Sequence, residues 1–161
     1  AYRLYKFKRN RKEAGMNFEV RNARLDDLKG IVDLLTQLSP PKEGENLDVR
    51  KGEEILRNIL NNPDYFLCVA ESKDGLVGTA MLLVQQNLSH GGRPYAHLEN
   101  VVTDIRNRKK GIGFAMVRYL MEKAKAKGCY KVILNCETKN IAFYERCGFC
   151  ITGEVEMRIN L

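Results

Sequence analysis

Arg108-Lys109-Lys110-Gly111-Ile112-Gly113 is the stretch whose residue types and spacing point most directly to chemistry. Before it lies His97 to Thr103, patterned as a strand. After it lies Phe114 to Lys127, patterned as an amphipathic helix. Two glycines at a helix start leave backbone N–H groups uncovered. The positive end of the helix dipole points the same way, and the neighbouring side chains are cationic. Such a turn receives a pyrophosphate. Its spacing excludes the two commonest phosphate loops. There is no G-x-x-x-x-G-K-[S/T] string, and only Gly111-Ile112-Gly113 fits the start of G-x-G-x-x-G, with Met116 where the third glycine would stand.

A second string runs from Asn140 through Phe143-Tyr144 to Gly148-Phe149. It follows a short apolar strand predicted over 130–136. It predicts a short helix closed by Gly148 in the left-handed conformation. The order of strand, R-x-x-G-x-G turn, helix, strand and this second string over residues 96–159 resembles the GNAT N-acetyltransferases. That resemblance implies acetyl-CoA as cofactor. It implies a single α/β (α+β) domain with a mixed, mostly antiparallel sheet, flanked by helices and splayed at the acetyl-CoA site. Backbone groups of Val101, Val102 and Thr103 would then bind the pantetheine arm. Arg108 and the N–H groups of Lys109, Lys110, Gly111, Ile112, Gly113 and Phe114 would hold the pyrophosphate. Asn140 and Tyr144 would lie beside the thioester. The resemblance also implies a homodimer, often through the C-terminal strands.

Acetyl transfer to an amine needs a neutral amine, a place for the oxyanion and a proton for the departing thiolate. Tyr144 aligns with the family's thiolate-protonating tyrosine, and a phenol of pKa about 10 suits that task. The bland alternative is a packed aromatic with a satisfied hydroxyl. Glu99, just before the pantetheine-binding segment, is the candidate base, acting directly or through a water. A surface glutamate on a half-exposed strand is the other reading. His97 shares the alternation parity of Glu99 and is a weaker base candidate. His90 and Arg93 lie in a Gly-bearing loop, read either as a substrate gate or as a solvated turn.

The expected acceptor is the primary amine of a small molecule. Within the family, residues 128–134, 143–149 and 155–157 resemble the glucosamine-6-phosphate N-acetyltransferases. Three positions depart from that pattern. Asn100 and Asn135 replace carboxylates, and Asn160 stands where an arginine is usual, with Arg158 two residues away on the same predicted strand face. Substrate contacts are expected from His97, Glu99, Asn100 and Arg158. A protein or peptide acetyltransferase and a non-catalytic CoA-binding domain are the other readings.

Composition bounds these readings. The chain has 161 residues, enough for one ordinary domain, and 44% are hydrophobic, as in a globular protein. No apolar run approaches the roughly 18 residues of a membrane span. The five cysteines are odd in number and irregular in spacing, which predicts reduced thiols in a cytoplasmic protein. Cys147 and Cys150 form a C-x-x-C, but with Cys129 and Cys136 the spacing matches no usual zinc pattern, so no metal site is expected. The net charge of +7 is concentrated in residues 1–15, where Arg3, Lys6, Lys8, Arg9, Arg11 and Lys12 oppose Glu13 alone. Much of the remaining positive charge lies at Arg106, Arg108, Lys109 and Lys110, where a CoA phosphate would need it. Nucleic-acid binding is therefore not favoured. Residues 1–15 look foreign to the domain of 16–161. Met16 reads as a natural start and 1–15 as leader or appended sequence, the rival being a basic arm for an acidic partner.

The elements that must position these residues follow from periodicity. Strands are predicted over 18–23, 65–71, 76–86, 95–103, 130–136 and 154–159. Helices are predicted over 26–38, 48–61 and 114–127, besides the short one opened by Asn140. The first helix is expected to bury Leu28, Ile31, Val32, Leu35 and Leu38. The second should bury Ile55, Leu56, Ile59 and Leu60. The third should bury Ile112, Met116, Tyr119, Leu120 and Ala124.

Overall fold

Period-two alternation of apolar residues builds most of one sheet, seen in a computed structural model that describes residues 17–160. Its strands are β1 (Phe18–Asn22), β2 (Tyr65–Ser72), β3 (Gly75–Gln85), β4 (Tyr95–Thr103) and β5 (Val132–Ile133), in that spatial order. The first four pair antiparallel, β2 and β3 through the predicted hairpin, and β5 joins β4 in parallel. Alternation sorts β2 between two cores. Cys68 and Ala70 face one core, and Val69 between them faces the other.

Helices cover both faces. Helix α3 (Ile112–Ala126) and the short α4 (Ile141–Arg146) close the larger core, where Met116 and Leu120 are completely buried. Burying each such side chain stabilises the fold by about 2 kcal/mol. Helix α1 (Leu28–Leu38) supplies Ile31 to the smaller core, and α2 (Val49–Asn61) lies beside α1, with Gly52 against Leu28. Asp48 caps α2 by accepting the Lys51 N–H at 3.1 Å.

Several expectations are corrected. Residues 154–159 form no strand, although their alternation is real. Val155, Met157 and Ile159 are 81–90% exposed, because no strand among the described residues offers them a ladder. The strand expected over 130–136 shrinks to Val132–Ile133, the two residues in register with Ala96 and His97 of β4. In α1 the buried residues are Ile31 and Leu34, while Leu38 is exposed. In α2 Leu56 is buried, but Ile55 and Leu60 are exposed. In α3 Val117 and Met121 join Ile112, Met116, Leu120 and Ala124 in the core, and Tyr119 instead donates its hydroxyl to Asn22 Oδ1 at 2.8 Å. The basic segment 1–15 and the start at Met16 lie outside the described residues.

One carboxylate joins the front of the fold. Asp27 is buried ahead of α1 and accepts two bonds from the Arg21 guanidinium, at 2.7 and 2.8 Å, and one from the Arg24 N–H at 2.7 Å. Arg21 also reaches Glu71 on β2 at 2.7 Å. The Arg21 bonds hold the Asp27 carboxyl below the usual carboxylate range, against the opposing cost of burial. A depressed folded-state pKa contributes stability that is full above the unfolded value, near 4, and lost as pH falls through the folded one. Asp27→Asn is therefore expected to cost about 2–3 kcal/mol at neutral pH and much less near pH 2, checked by urea unfolding at both pH values.

Candidate active site

The site begins where β4 loses a neighbour. Parallel pairing with β5 joins only Ala96 to Val132 and His97 to Ile133, whereas β4 continues to Thr103. Beyond His97 no strand among the described residues lies beside that edge of β4. On its other edge β4 carries a bulge. Thr79 faces Val102 and Met81 faces Glu99, so Asn100 and Val101 together stand opposite Ala80. Asn100 has a φ of +54°, a left-handed conformation that asparagine tolerates better than most residues. Past the bulge the Asp104 N–H donates to Val77 O at 2.9 Å, and Thr103 faces Gly78. By strand alternation Val102 turns its backbone toward β3, and Val101 and Thr103 turn theirs toward the open edge.

The chain then enters the glycine turn. Lys109 and Gly111 have φ values of +64° and +83°, and this alternation of hand gathers successive N–H groups into a concavity suited to an anion. Gly111 is the N-cap of α3, and its carbonyl accepts the Ala115 N–H at 3.0 Å. Ile112, Gly113 and Phe114 thus stand ahead of the helical ladder. A Cβ on Gly113 would lie 3.2 Å from the Phe143 ring and 3.5 Å from Thr103 Oγ1, so a bare backbone is what lets α3, α4 and the end of β4 meet. Of the cations expected here, Arg106 is engaged by Asp104 at 3.1 Å and Arg108 reaches the Thr103 carbonyl at 3.4 Å. Lys110 donates to Asn107 Oδ1 at 2.8 Å.

Tyr144 faces the same region from α4. Asn140 is the N-cap of this helix, as the sequence predicts, though its side chain makes no capping bond. Gly148, with φ +95°, ends the helix, and the Phe149 N–H returns to the Tyr144 carbonyl at 3.0 Å. The Tyr144 ring packs edge-on against Phe143 and Phe149, at 4.9 and 5.9 Å between centroids. Burial pushes its phenol up to about 12, with Cys136, Cys147 and Glu99 adding to the rise. Tyr144 and Glu99, 45 positions apart in sequence numbering, are thereby brought into one electrostatic neighbourhood. A tyrosine kept for packing usually gives its hydroxyl a partner. Tyr144 Oη has none among the described residues.

Glu99 is exposed on β4, beside the bulge. Asn100 lines a cavity of about 420 Å³ whose floor is Val32, Leu35 and Leu47 and whose polar groups include Thr36, Ser39 and Glu45. An apolar hollow with a few polar groups, next to a carboxylate, fits a small polar ligand. The sequence reading missed this wall, because residues 39–47 carry turn chemistry and no motif. His97 is half-buried in the part of β4 paired with β5, its ring 5.4 Å from that of Tyr95. The gate imagined for His90 and Arg93 is corrected. His90 stacks on Tyr130 at 4.1 Å and Arg93 bonds the carbonyls of Gly128 and Cys129, past the far end of α3 from the glycine turn. Arg158 pairs with Glu156 at 2.7 Å in the exposed C-terminal segment. A buried carboxylate, Asp104, and its partner Gln37 were also missed, since neither belongs to a motif.

Known proteins share this arrangement. A glucosamine 6-phosphate N-acetyltransferase of Trypanosoma brucei brucei is 34% identical over 152 residues, spanning 91% of this chain and 97% of its own. The crystal structure of glucosamine-6-phosphate N-acetyltransferase from Arabidopsis thaliana superposes with a TM-score of 0.81 at 28% identity, over 89% of this chain and 97% of that one. At the level of fold alone, an acetyltransferase from Clostridium acetobutylicum solved with acetyl-CoA gives a TM-score of 0.70 at 22% identity, over 89% of this chain and 96% of that one. The Acetyltransferase (GNAT) family model matches residues 31–149. With its splayed sheet, glycine turn and facing tyrosine, the chain belongs to the GNAT family of acetyltransferases and uses acetyl-CoA.

Proposed function

We propose that this N-acetyltransferase acts on the primary amine of a small molecule, with glucosamine 6-phosphate as the acceptor. What supports the mechanism is the opening where β4 runs on past β5, with Glu99 exposed on β4 and Tyr144 carried by α4. The acceptor follows from the relatives, which carry that activity in their names along nearly their whole length. No helix among the described residues is long and apolar enough to cross a membrane, and the five cysteines form no disulfide, which suits a reducing cytoplasm.

Acetyl-CoA supplies an acetyl group activated as a thioester. In this reading the N–H groups from Lys109 to Phe114 hold its pyrophosphate, helped by the dipole of α3 and by Arg108, Lys109 and Lys110. Backbone groups of Val101 and Thr103 at the open edge of β4, extended by Val102, hold the pantetheine arm, with Asn140 beside it. Glu99, directly or through a water, takes the proton of the acceptor ammonium and leaves a neutral amine to attack. Asn100, His97 and Arg158 contact the acceptor. Tyr144 gives its proton to the departing thiolate. With its phenol raised to about 12, Tyr144 stays protonated throughout the working pH range, and the rise makes it a weaker acid toward the thiolate than a free phenol. We also read the alternation of Val155, Met157 and Ile159 as a strand that completes itself against a second copy, making a homodimer.

Thiol release from acetyl-CoA, measured over glucosamine 6-phosphate, polyamines, amino acids and a lysine peptide, tests the acceptor. Turnover is expected with glucosamine 6-phosphate, and turnover only with another amine would replace it. With the best acceptor, Tyr144→Phe and Glu99→Gln are each expected to lower kcat by about 10²-fold or more. Full activity in either variant removes that residue from the mechanism. Because Tyr144 loses its proton only near pH 12, no fall in rate below about pH 11 should disappear in Tyr144→Phe. Gly111→Ala puts a Cβ on a left-handed residue, at a cost of about 1–2 kcal/mol, and should raise the acetyl-CoA KM roughly tenfold while leaving kcat near wild type. Light scattering should give twice the chain mass for the wild type and the single mass for Met157→Asp. A monomeric wild type would reject the dimer.

A further inference from the structure

Asp104 is the most deeply buried carboxylate among the described residues and lies where the chain leaves β4 for the glycine turn. One oxygen accepts the Arg106 N–H at 2.9 Å and Arg106 Nε at 3.1 Å, closing a turn over Ile105–Asn107. The other accepts Arg106 Nη2 at 3.1 Å and Gln37 Nε2 at 3.2 Å. The same Gln37 amide takes the Ile105 N–H on its oxygen at 3.1 Å. A single side chain from the last turn of α1 thus holds both the carboxylate that shapes the exit from β4 and the backbone that follows it.

The place of Gln37 in the fold gives this clasp its consequence. Thr36 and Leu38, on either side of it, line the cavity beside Asn100, as do Leu35 and Ser39. The segment on the other side of the clasp leads through Arg108 into the turn at Gly111. Helix α1 otherwise rests on the sheet through Ile31, Leu34 and Leu35, and Leu38 is already half exposed. Its final turn is tied to the cofactor side through the Gln37 amide. The Arg106 guanidinium holds the Asp104 carboxyl well below the usual carboxylate range, so the acceptor half of the clasp stays charged at any pH at which the enzyme works.

We propose that Gln37 is a positioning residue that couples the two substrate sites, locking the α1 wall of the acceptor cavity to the segment that carries the acetyl-CoA turn. Ordering the turn with cofactor orders the cavity wall, and the acceptor then binds a preformed surface. The coupling is reciprocal, so an occupied cavity also favours the turn. The effect rests on the acetyl-CoA reading and not on the identity of the acceptor.

Hydrogen exchange on the full chain with acetyl-CoA alone tests it. In the wild type the cofactor should slow exchange over 109–114 and, at least about fivefold, over 36–39. In Gln37→Leu, which keeps the length and removes both bonds, slowing over 109–114 should remain and slowing over 36–39 should be lost. With an acceptor present, the same variant should raise the acceptor KM at least about fivefold with kcat within twofold. Gln37→Leu alters an exposed side chain and is expected to fold. Asp104→Asn, which keeps the shape but weakens the bond to Gln37, should show the same loss in milder form. Equal slowing over 36–39 in wild type and Gln37→Leu would overturn the proposal, as would no slowing there in the wild type. A fall in melting temperature with exchange and KM unchanged would reduce Gln37 to a structural role and overturn it equally. If the cofactor fails to slow 109–114 in the wild type, the assignment of the pyrophosphate turn fails instead, which separates the two readings.

Discussion

The structure depends on one edge of β4 being left without a strand. Backbone N–H and C=O groups that meet no partner must find water or a ligand, so such an edge inside a sheet is open to a ligand's own hydrogen-bonding groups. Here β5 pairs at Ala96 and His97 and then ends, while β3 holds the other edge of β4 through Thr103. Three of the groups ascribed to the site lie around that gap. The glycine turn closes one end, α4 with Tyr144 faces it, and Glu99 stands beside the bulge at its start.

The bulge and the gap act together. A regular β4 would carry one residue fewer between Glu99 and Val102, and all that follows would change face. The extra residue, with Asn100 in a left-handed conformation, lets the strand keep Val102 in the core and bring Glu99 and Asn100 out beside the α1 cavity. This arrangement makes the site sensitive to how firmly its neighbours are held. That is why a buried carboxylate at the exit of β4, bonded to both the turn and α1, has a larger role than its distance from the reacting atoms implies.

Electrostatics follows the same geometry. The aromatic packing that seats Tyr144 also removes water from its ring and raises its phenol, and the nearby Glu99 carboxylate adds to the effect. A phenol so held is firmly protonated, and a weaker acid than a free one. Asn100, Asn135 and Asn160 leave the acceptor region less charged than the pattern of the glucosamine-6-phosphate enzymes would have it.

Much of this was legible from residues alone. Glycines at 111 and 113 with their flanking cations, the Phe143-Tyr144 string and the alternation of β1 to β4 each encode their structure within a few residues, and short-range chemistry is what a sequence displays. Gly148 as a helix stop and Asp48 as a helix cap are local in the same way. Other features needed the chain to be folded. The length of β5 depends on how far β4 runs beside it. The fate of the alternation over 154–159 depends on whether another strand is within reach. Leu34 rather than Leu38 is buried in α1. Gln37 and Asp104, 67 positions apart, meet only in the tertiary structure. Local bonding and periodicity set what each segment would be. Only packing, which joins residues distant in the chain, decided which of them could act together.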